Sequence, residues 1–219
     1  MKLITEVFVK NVSLVDESGY ASGRTRFWRD LQDFMAGQIF ANIQFDKKLE
    51  SASAYFQREQ LKFDRIYMPE ETAEVILEGT GADTRGTLRF VDDHAFGLFL
   101  HEASHYLHMI KDGGKFLSPT IKAAPKHLMS KSGKHSIGYT VDIEYEAGYR
   151  SLLYSKQYGL FADGDRTVTE LNLENMLNYI EILNGKDFKN CDPAVYKRRL
   201  EEWKHETEFE EISDYMTVI

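Results

Sequence analysis

The stretch that decides the fold is Phe99–Met109, FLHEASHYLHM, in which two histidines stand four residues apart and a glutamate follows the first. An α-helix turns once every 3.6 residues, so His101 and His105 emerge on one face, one turn apart. Two imidazoles in that arrangement can both reach a zinc ion at about 2.0–2.1 Å. Glu102 points about 100° away from His101, so it can reach a water molecule beside the ion. The spacing therefore predicts a metal helix with Glu102 as general base.

The sequence around this motif favours a buried helix over a surface helix with scattered histidines. A chain of this composition would contain the HExxH pattern by chance only about 0.02 times. The positions flanking and inside the motif are uncharged, as expected beside a buried ion, where an unpaired charge costs several kcal/mol. His108, three residues after His105, is expected to support the metal ligands or the end of the helix, where a cationic imidazole is favourable, and not to bind the ion.

A catalytic zinc needs a third protein ligand, which leaves the fourth position for water. The downstream candidates are His127, His135, Glu144 and Glu146. In a helix over GYTVDIEYEAGYRSLL, Glu144 shares its face with small or apolar residues, whereas Glu146 can pair with Arg150 at i+4. A carboxylate on the buried face would be costly without a partner, and a metal supplies one. The pattern favours Glu144 as the third ligand and keeps Glu146 as the alternative.

The other elements follow from apolar periodicity and from capping and breaking residues. The predicted strands cover residues 3–12, 63–69 and 87–91, and the predicted helices cover residues 24–43, 51–63, 69–79, 94–111, 139–158, 167–183 and 193–211. Asp92 or Asp93 is expected to cap the metal helix. The predicted class is α+β, mostly helical, with a small N-terminal sheet and an active-site helix.

Composition limits the classes of function. With 219 residues and 42% hydrophobic residues, the chain is expected to form one domain, with a metal-site core at about 86–160 and a helical C-terminal extension at about 165–219. The net charge of −8 argues against a nucleic-acid partner. The single cysteine, Cys191, and the polar residues in the first apolar run favour a cytoplasmic protein with no membrane segment.

HEASH followed some forty residues later by EYEAGYRSLL resembles the zincin metallopeptidases with a glutamate ligand, the gluzincins, and especially the small intracellular and phage-encoded ImmA/IrrE-like peptidases. The resemblance covers about residues 93–160. It implies a Zn²⁺ cofactor held by His101, His105 and Glu144, with Glu102 as the base and a peptide or protein as substrate. It also implies a substrate-binding edge strand just before the metal helix, where GTLRFV stands. Gly148 departs from the pattern, because many gluzincins have an acidic residue there that orients a histidine.

Residues 111–138 contain six lysines and one acid, Asp112, and are rich in Gly, Ser and Pro. A long segment of this kind can close over a site and select acidic substrates, or it can simply be a solvated loop. Two other functions remain open beside the peptidase. One is a zincin-like protein that binds metal and holds a protein or DNA partner without proteolysis, and the other is an amide hydrolase that acts on a non-peptide substrate. An intact Glu102 favours an enzyme.

Overall fold

The computed structural model describes residues 6–9, 12–15, 21–36, 42–57, 62–79, 85–112, 114–117, 137–162 and 166–172. The elements in these ranges are strands β1 (Glu6–Val9), β2 (Val12–Leu14), β3 (Asn42–Asp46), β4 (Ser53–Gln57), β5 (Lys62–Pro69), β6 (Ala73–Glu78) and β7 (Arg85–Phe90), and helices α1 (Ala21–Ala36), α2 (Asp93–Ile110), α3 (Ile137–Tyr158) and α4 (residues 166–172). The α+β class is confirmed, with all described strands before residue 91.

The strands form two sheets, where one small sheet was predicted. In the first sheet the order is β1-β3-β5-β4, with β3 parallel to β5 and the other neighbours antiparallel. In the second sheet the order is β2-β7-β6, with β7 parallel to β2 and antiparallel to β6. The chain passes from β5 to β6 through a single 3₁₀ turn at Glu70–Thr72. Helix α2, which contains the HExxH motif, packs against both sheets.

Helix α2 is the central element of the fold. Its predicted N-cap is confirmed, because the carboxylate of Asp92 accepts a hydrogen bond from the backbone N–H of Ala95 at 2.7 Å. Nearly every side chain from Ala95 to His108 is buried, and α2 contacts β4, β5, β7 and α3. A helix buried on all sides belongs to the interior of a domain. The uncharged sequence around the motif therefore reflects burial, as predicted.

Helix α1 contacts both the start of α2 and the residues just after the end of α3. The guanidinium of the buried Arg24 donates to the carbonyl of Leu160 at 2.8 Å and to the carboxylate of Asp93 at 2.6 Å. The indole N–H of Trp28 donates to the carbonyl of Val12 at 2.5 Å, and the Trp28 ring packs against Phe99. The N-terminal part of the chain thus fixes where α2 begins and where α3 ends.

Two helix predictions fail in the N-terminal half, and a third is confirmed only in part. Within residues 51–63, Ser53–Gln57 form β4 and residues 62–63 begin β5, although the Ala, Gln, Glu and Lys residues of this stretch favour a helix. Residues 69–79 form one 3₁₀ turn and strand β6, because the acidic residues after Pro69 cap only that turn and the β-branched Val75 and Ile76 suit a strand. The helix predicted to reach residue 43 is described only to Ala36, and Ile43 lies in β3. In each case strand pairing outweighs local propensity.

The predicted substrate-binding edge strand is also wrong in its position. GTLRFV forms most of β7, which pairs with β2 over Gly86–Leu88 on one side and with β6 on the other, so it is the central strand of its sheet. Among the described residues, no helix has the length and apolarity required to cross a membrane. Most of the helix predicted at 167–183, all of the one predicted at 193–211, and Cys191 lie outside the described residues.

Candidate metal centre

The structure brings together His101 and His105 of α2 and Glu144 of α3. The Nε2 atom of His101 lies 3.0 Å from Oε2 of Glu144, and the Nε2 atom of His105 lies 3.3 Å from the same oxygen. The two imidazole rings stand nearly perpendicular, with their centroids 4.8 Å apart. Two residues from one helix and one from another therefore point their donor atoms at a common place.

Small residues allow α3 to approach α2 closely enough for this convergence. Ser104 and Ser151 face each other across the crossing with their hydroxyl oxygens 3.1 Å apart. Each hydroxyl also donates to a carbonyl one turn earlier in its own helix, at 2.7 Å in both cases. Ala147 and Ser151, on the face that carries Glu144, are fully buried. This is the small-residue face that favoured Glu144 in the sequence.

The donor set fits Zn²⁺. Two ligands bound at about 2.0–2.1 Å with a tetrahedral angle between them lie about 3.3 Å apart. The two distances from Oε2 of Glu144 to the imidazole nitrogens are close to that separation. In addition, His101, Glu102 and His105 have potential ligand atoms within 4.8 Å of one another. Two imidazoles and a carboxylate with a fourth position left for water are a known catalytic zinc set.

The charges and hydrogen bonds of the cluster shift the pKa values of His101 and Glu144 in opposite directions. Burial lowers the pKa of His101, but the hydrogen bond and charge of Glu144 outweigh it and raise the pKa to about 9. Burial raises the pKa of Glu144. The charge of His105 and the hydrogen bonds to both imidazoles lower that pKa by a larger amount, so the net shift is downward. The cluster without metal thus keeps Glu144 ionised and retains a proton on His101. A metal ion would displace that proton.

Glu102 lies beside this cluster on the side of the first sheet. Its side chain is buried, and its carboxylate accepts a hydrogen bond from the backbone N–H of Ala54 in β4. Burial raises the pKa of Glu102, while the charges of His105 and His101 partly oppose that shift. A carboxyl group with a raised pKa is suited to accepting a proton and releasing it again.

Glu146 and His108 have other surroundings. Glu146 pairs with Arg150 at 2.9 Å, the i+4 pair that the sequence offered as its alternative role. The prediction of a cationic His108 at the helix end is wrong, because the residue is buried. Burial, followed by the charges of Arg150 and His105, lowers the pKa of His108 to about 3, so the ring is neutral. His127 and His135 lie outside the described residues.

Sequence reasoning missed Asn172 as a member of this site. Its side-chain oxygen lies 3.0 Å from Nδ1 of His101, on the opposite edge of the ring from Glu144. No local pattern marks Asn172, which is 71 residues from His101 and lies in the segment assigned to a C-terminal extension.

A separate cavity of about 340 Å³ lies near the start of α2, lined in part by Arg24, Arg89 and Asp93, and includes none of the site residues.

Comparison of the chain with protein-family models, with curated proteins and with solved structures finds no match in any of the three.

Proposed function

We propose that this protein is a zinc-dependent metallopeptidase in which His101, His105 and Glu144 hold the ion and Glu102 is the general base. The observation that carries the proposal is the convergence of one oxygen of Glu144 on the Nε2 atoms of both histidines. A zinc ion bound there would acidify a water molecule and polarise the carbonyl of the substrate. A zincin-like fold and a cytoplasmic location are parts of the same proposal.

Glu102 would accept the proton of the attacking water and transfer it to the leaving amine. Its position next to His101 in the helix keeps its carboxylate beside the ligands, and the N–H of Ala54 fixes its orientation. The burial that raises its pKa also makes it a better proton donor in the second half of the reaction. A purely structural metal site would have no use for a base at this position.

We assign to strand β4 the substrate-binding role that the family resemblance implied for GTLRFV. In the described part of the chain β4 forms the outer strand of the first sheet next to β5, and the N–H of Ala54 within it contacts Glu102. An extended peptide that pairs with β4 would pass the general base, and such pairing needs only backbone groups. The lysine-rich residues 111–138 would then select among substrates by charge. The proposed substrate is therefore a peptide or protein in an extended conformation.

The test combines metal content with turnover. Wild type, His101→Ala and Glu102→Gln are purified, loaded with zinc and assayed on a library of fluorogenic peptides. Wild type should bind one zinc ion per chain and cleave a subset of peptides, and His101→Ala should lose the zinc. Glu102→Gln should keep the zinc and lose about 10²–10⁴ in kcat, the usual contribution of a general base. Wild type that takes up no zinc, or Glu102→Gln with full turnover, would overturn the proposal.

A further inference from the structure

The surroundings of His101 extend beyond the metal ligands and include the end of the described chain. His101 has one ring nitrogen, Nε2, facing Glu144 and the other, Nδ1, facing Oδ1 of Asn172 at 3.0 Å. An amide oxygen only accepts hydrogen bonds, so Nδ1 of His101 must carry the proton in this contact. Nε2, the atom that faces Glu144 and the proposed ion, is then the nitrogen whose proton a metal would displace. The contact thus selects the tautomer of His101 that can bind metal.

The same side chain is held from its other end by helix α3. The amide nitrogen of Asn172 donates to the carbonyl of Gly148 at 3.3 Å, and Asn172 is 3% exposed. One amide group therefore bridges the two helices of the site, α2 through His101 and α3 through Gly148. Because both of its polar atoms have partners, its orientation is defined.

Gly148 provides the space that Asn172 occupies. A Cβ atom added at position 148 would lie 3.0 Å from Cγ and 3.2 Å from Oδ1 of Asn172, closer than ordinary van der Waals contact. A side chain at 148 and the observed position of Asn172 are therefore in competition. Many gluzincins have an acidic residue at this position, whereas here the side chain of Asn172 from α4 lies beside Gly148.

The geometry points to Asn172 as the positioning residue of the metal centre. Its side chain fixes the orientation and the tautomer of the His101 ring, and Gly148 leaves the space that this side chain occupies. The inference rests on the proposed function, since it concerns zinc binding by His101. Groups that orient a metal-bound histidine typically contribute 10- to 100-fold to metal affinity. We expect Asn172→Leu, which keeps the volume and removes the acceptor, to weaken zinc binding by that factor.

The test measures zinc affinity by competition with a chromophoric chelator, together with the absorption spectrum of the cobalt-substituted protein. Asn172→Leu should bind zinc 10- to 100-fold more weakly than wild type and change the cobalt bands. Asn172→Asp, which retains the acceptor, should restore both. Wild type that binds no zinc overturns the proposed function and this inference together. Equal affinities for wild type and Asn172→Leu, or equal losses in the Leu and Asp variants, overturn this inference alone.

A second pair of variants isolates the role of Gly148. Gly148→Ala should weaken zinc binding severalfold in the wild-type chain, because the new methyl group displaces Asn172 by a few tenths of an ångström. In an Asn172→Ala background the two closest contacts are gone and only the Cβ of residue 172 remains nearby, at 3.3 Å, so the same change should have a much smaller effect. Thermal unfolding of the metal-free variants shows whether each folds. Additive losses in the double variant would mean that Gly148 acts independently of Asn172, and would overturn its assigned role.

Discussion

Helix α3 carries two carboxylates two residues apart, and their surroundings differ in kind. Glu146 accepts hydrogen bonds from Nε of Arg150 at 2.9 Å and from the backbone N–H of Leu117 at 2.7 Å. Arg150 also donates to Asp112 and to the carbonyl of Lys115. Glu144 instead faces two imidazoles, His101 and His105. The first cluster contains an arginine, whereas the described charge partners of Glu144 are histidines.

The formal charges express the same difference. Glu146 and Asp112 with Arg150 sum to −1, and backbone N–H donation helps to stabilise the remainder. In the proposed metal-bound state, in which both imidazoles are neutral, Glu144 and Glu102 would sum to −2, in a buried setting where unpaired charge is costly. A divalent cation would balance that charge. The comparison teaches that two buried carboxylates on one helix can have partners of different kinds, a permanent cation for Glu146 and titratable imidazoles for Glu144.

The largest effect is expected from breaking the cluster that contains Arg150. Arg150→Met leaves Glu146 buried with no arginine, which should lower the free energy of unfolding by about 3–5 kcal/mol. Arg166→Met is the matched control, because its i+4 partner Glu170 is exposed and such pairs contribute less than about 0.5 kcal/mol. Urea denaturation of the metal-free proteins measures both. Similar losses for the two variants would show that the Arg150 cluster is not a buried ion network.

The second effect separates the two carboxylates by their response to zinc. With zinc at 100 times its Kd, wild type should gain about 2.7 kcal/mol of stability. Glu144→Gln should lose this gain, whereas Glu146→Gln, the matched neutralisation on the same helix, should keep it despite a lower metal-free stability. Denaturation with zinc and with EDTA measures the gain. If the gain survives in Glu144→Gln and disappears in Glu146→Gln, then Glu146 is the zinc ligand and Glu144 is not.

The smallest effect concerns His108, which is influenced by both clusters. Its pKa is lowered to about 3 by burial and by the charges of Arg150 and His105, against an ordinary value of 6.5. The unfolded chain therefore binds a proton at this position below pH 6.5 and the folded chain does not, so folding stability falls with falling pH between these values.

The substitution His108→Leu removes the pH-dependent contribution of this residue to folding stability. Between pH 7.0 and pH 5.5 the metal-free variant should lose about 1 kcal/mol less stability than wild type. Wild type and variant both contain His101, whose contribution to stability changes between pH 6.5 and about 9, and both contain Glu144, so the difference between the two proteins isolates His108. Parallel losses in the two proteins would mean that His108 is protonated in the folded state.

The parts of the molecule that the sequence predicts correctly are those where local pattern and tertiary environment agree. Helices α2 and α3 combine helical periodicity with a buried face, and α2 begins at the expected cap. The stretches that form β4 and β6 have local signals for a helix, but pairing with β5 and β7 decides their structure. Such pairing joins residues whose sequences carry no mutual signal.

The candidate site shows the same division. His101, Glu102 and His105 follow from spacing alone, and Glu144 follows from the small residues on its helical face. The contacts of Asn172 and Ala54 could not be inferred, because each depends on an element that reaches the site only in the folded chain. Long-range neighbours that position a reactive group have no period and no motif.

The contacts of Arg24 have a consequence for any attempt to isolate the metal centre as a minimal fragment. Excising residues 86–160 would remove Arg24, which ties the start of α2 to the carbonyl of Leu160, and would also remove Asn172. The excised piece would retain all four residues assigned to zinc and catalysis but not the side chains that set their spacing. The smallest autonomous unit must therefore begin before α1 and extend past α4.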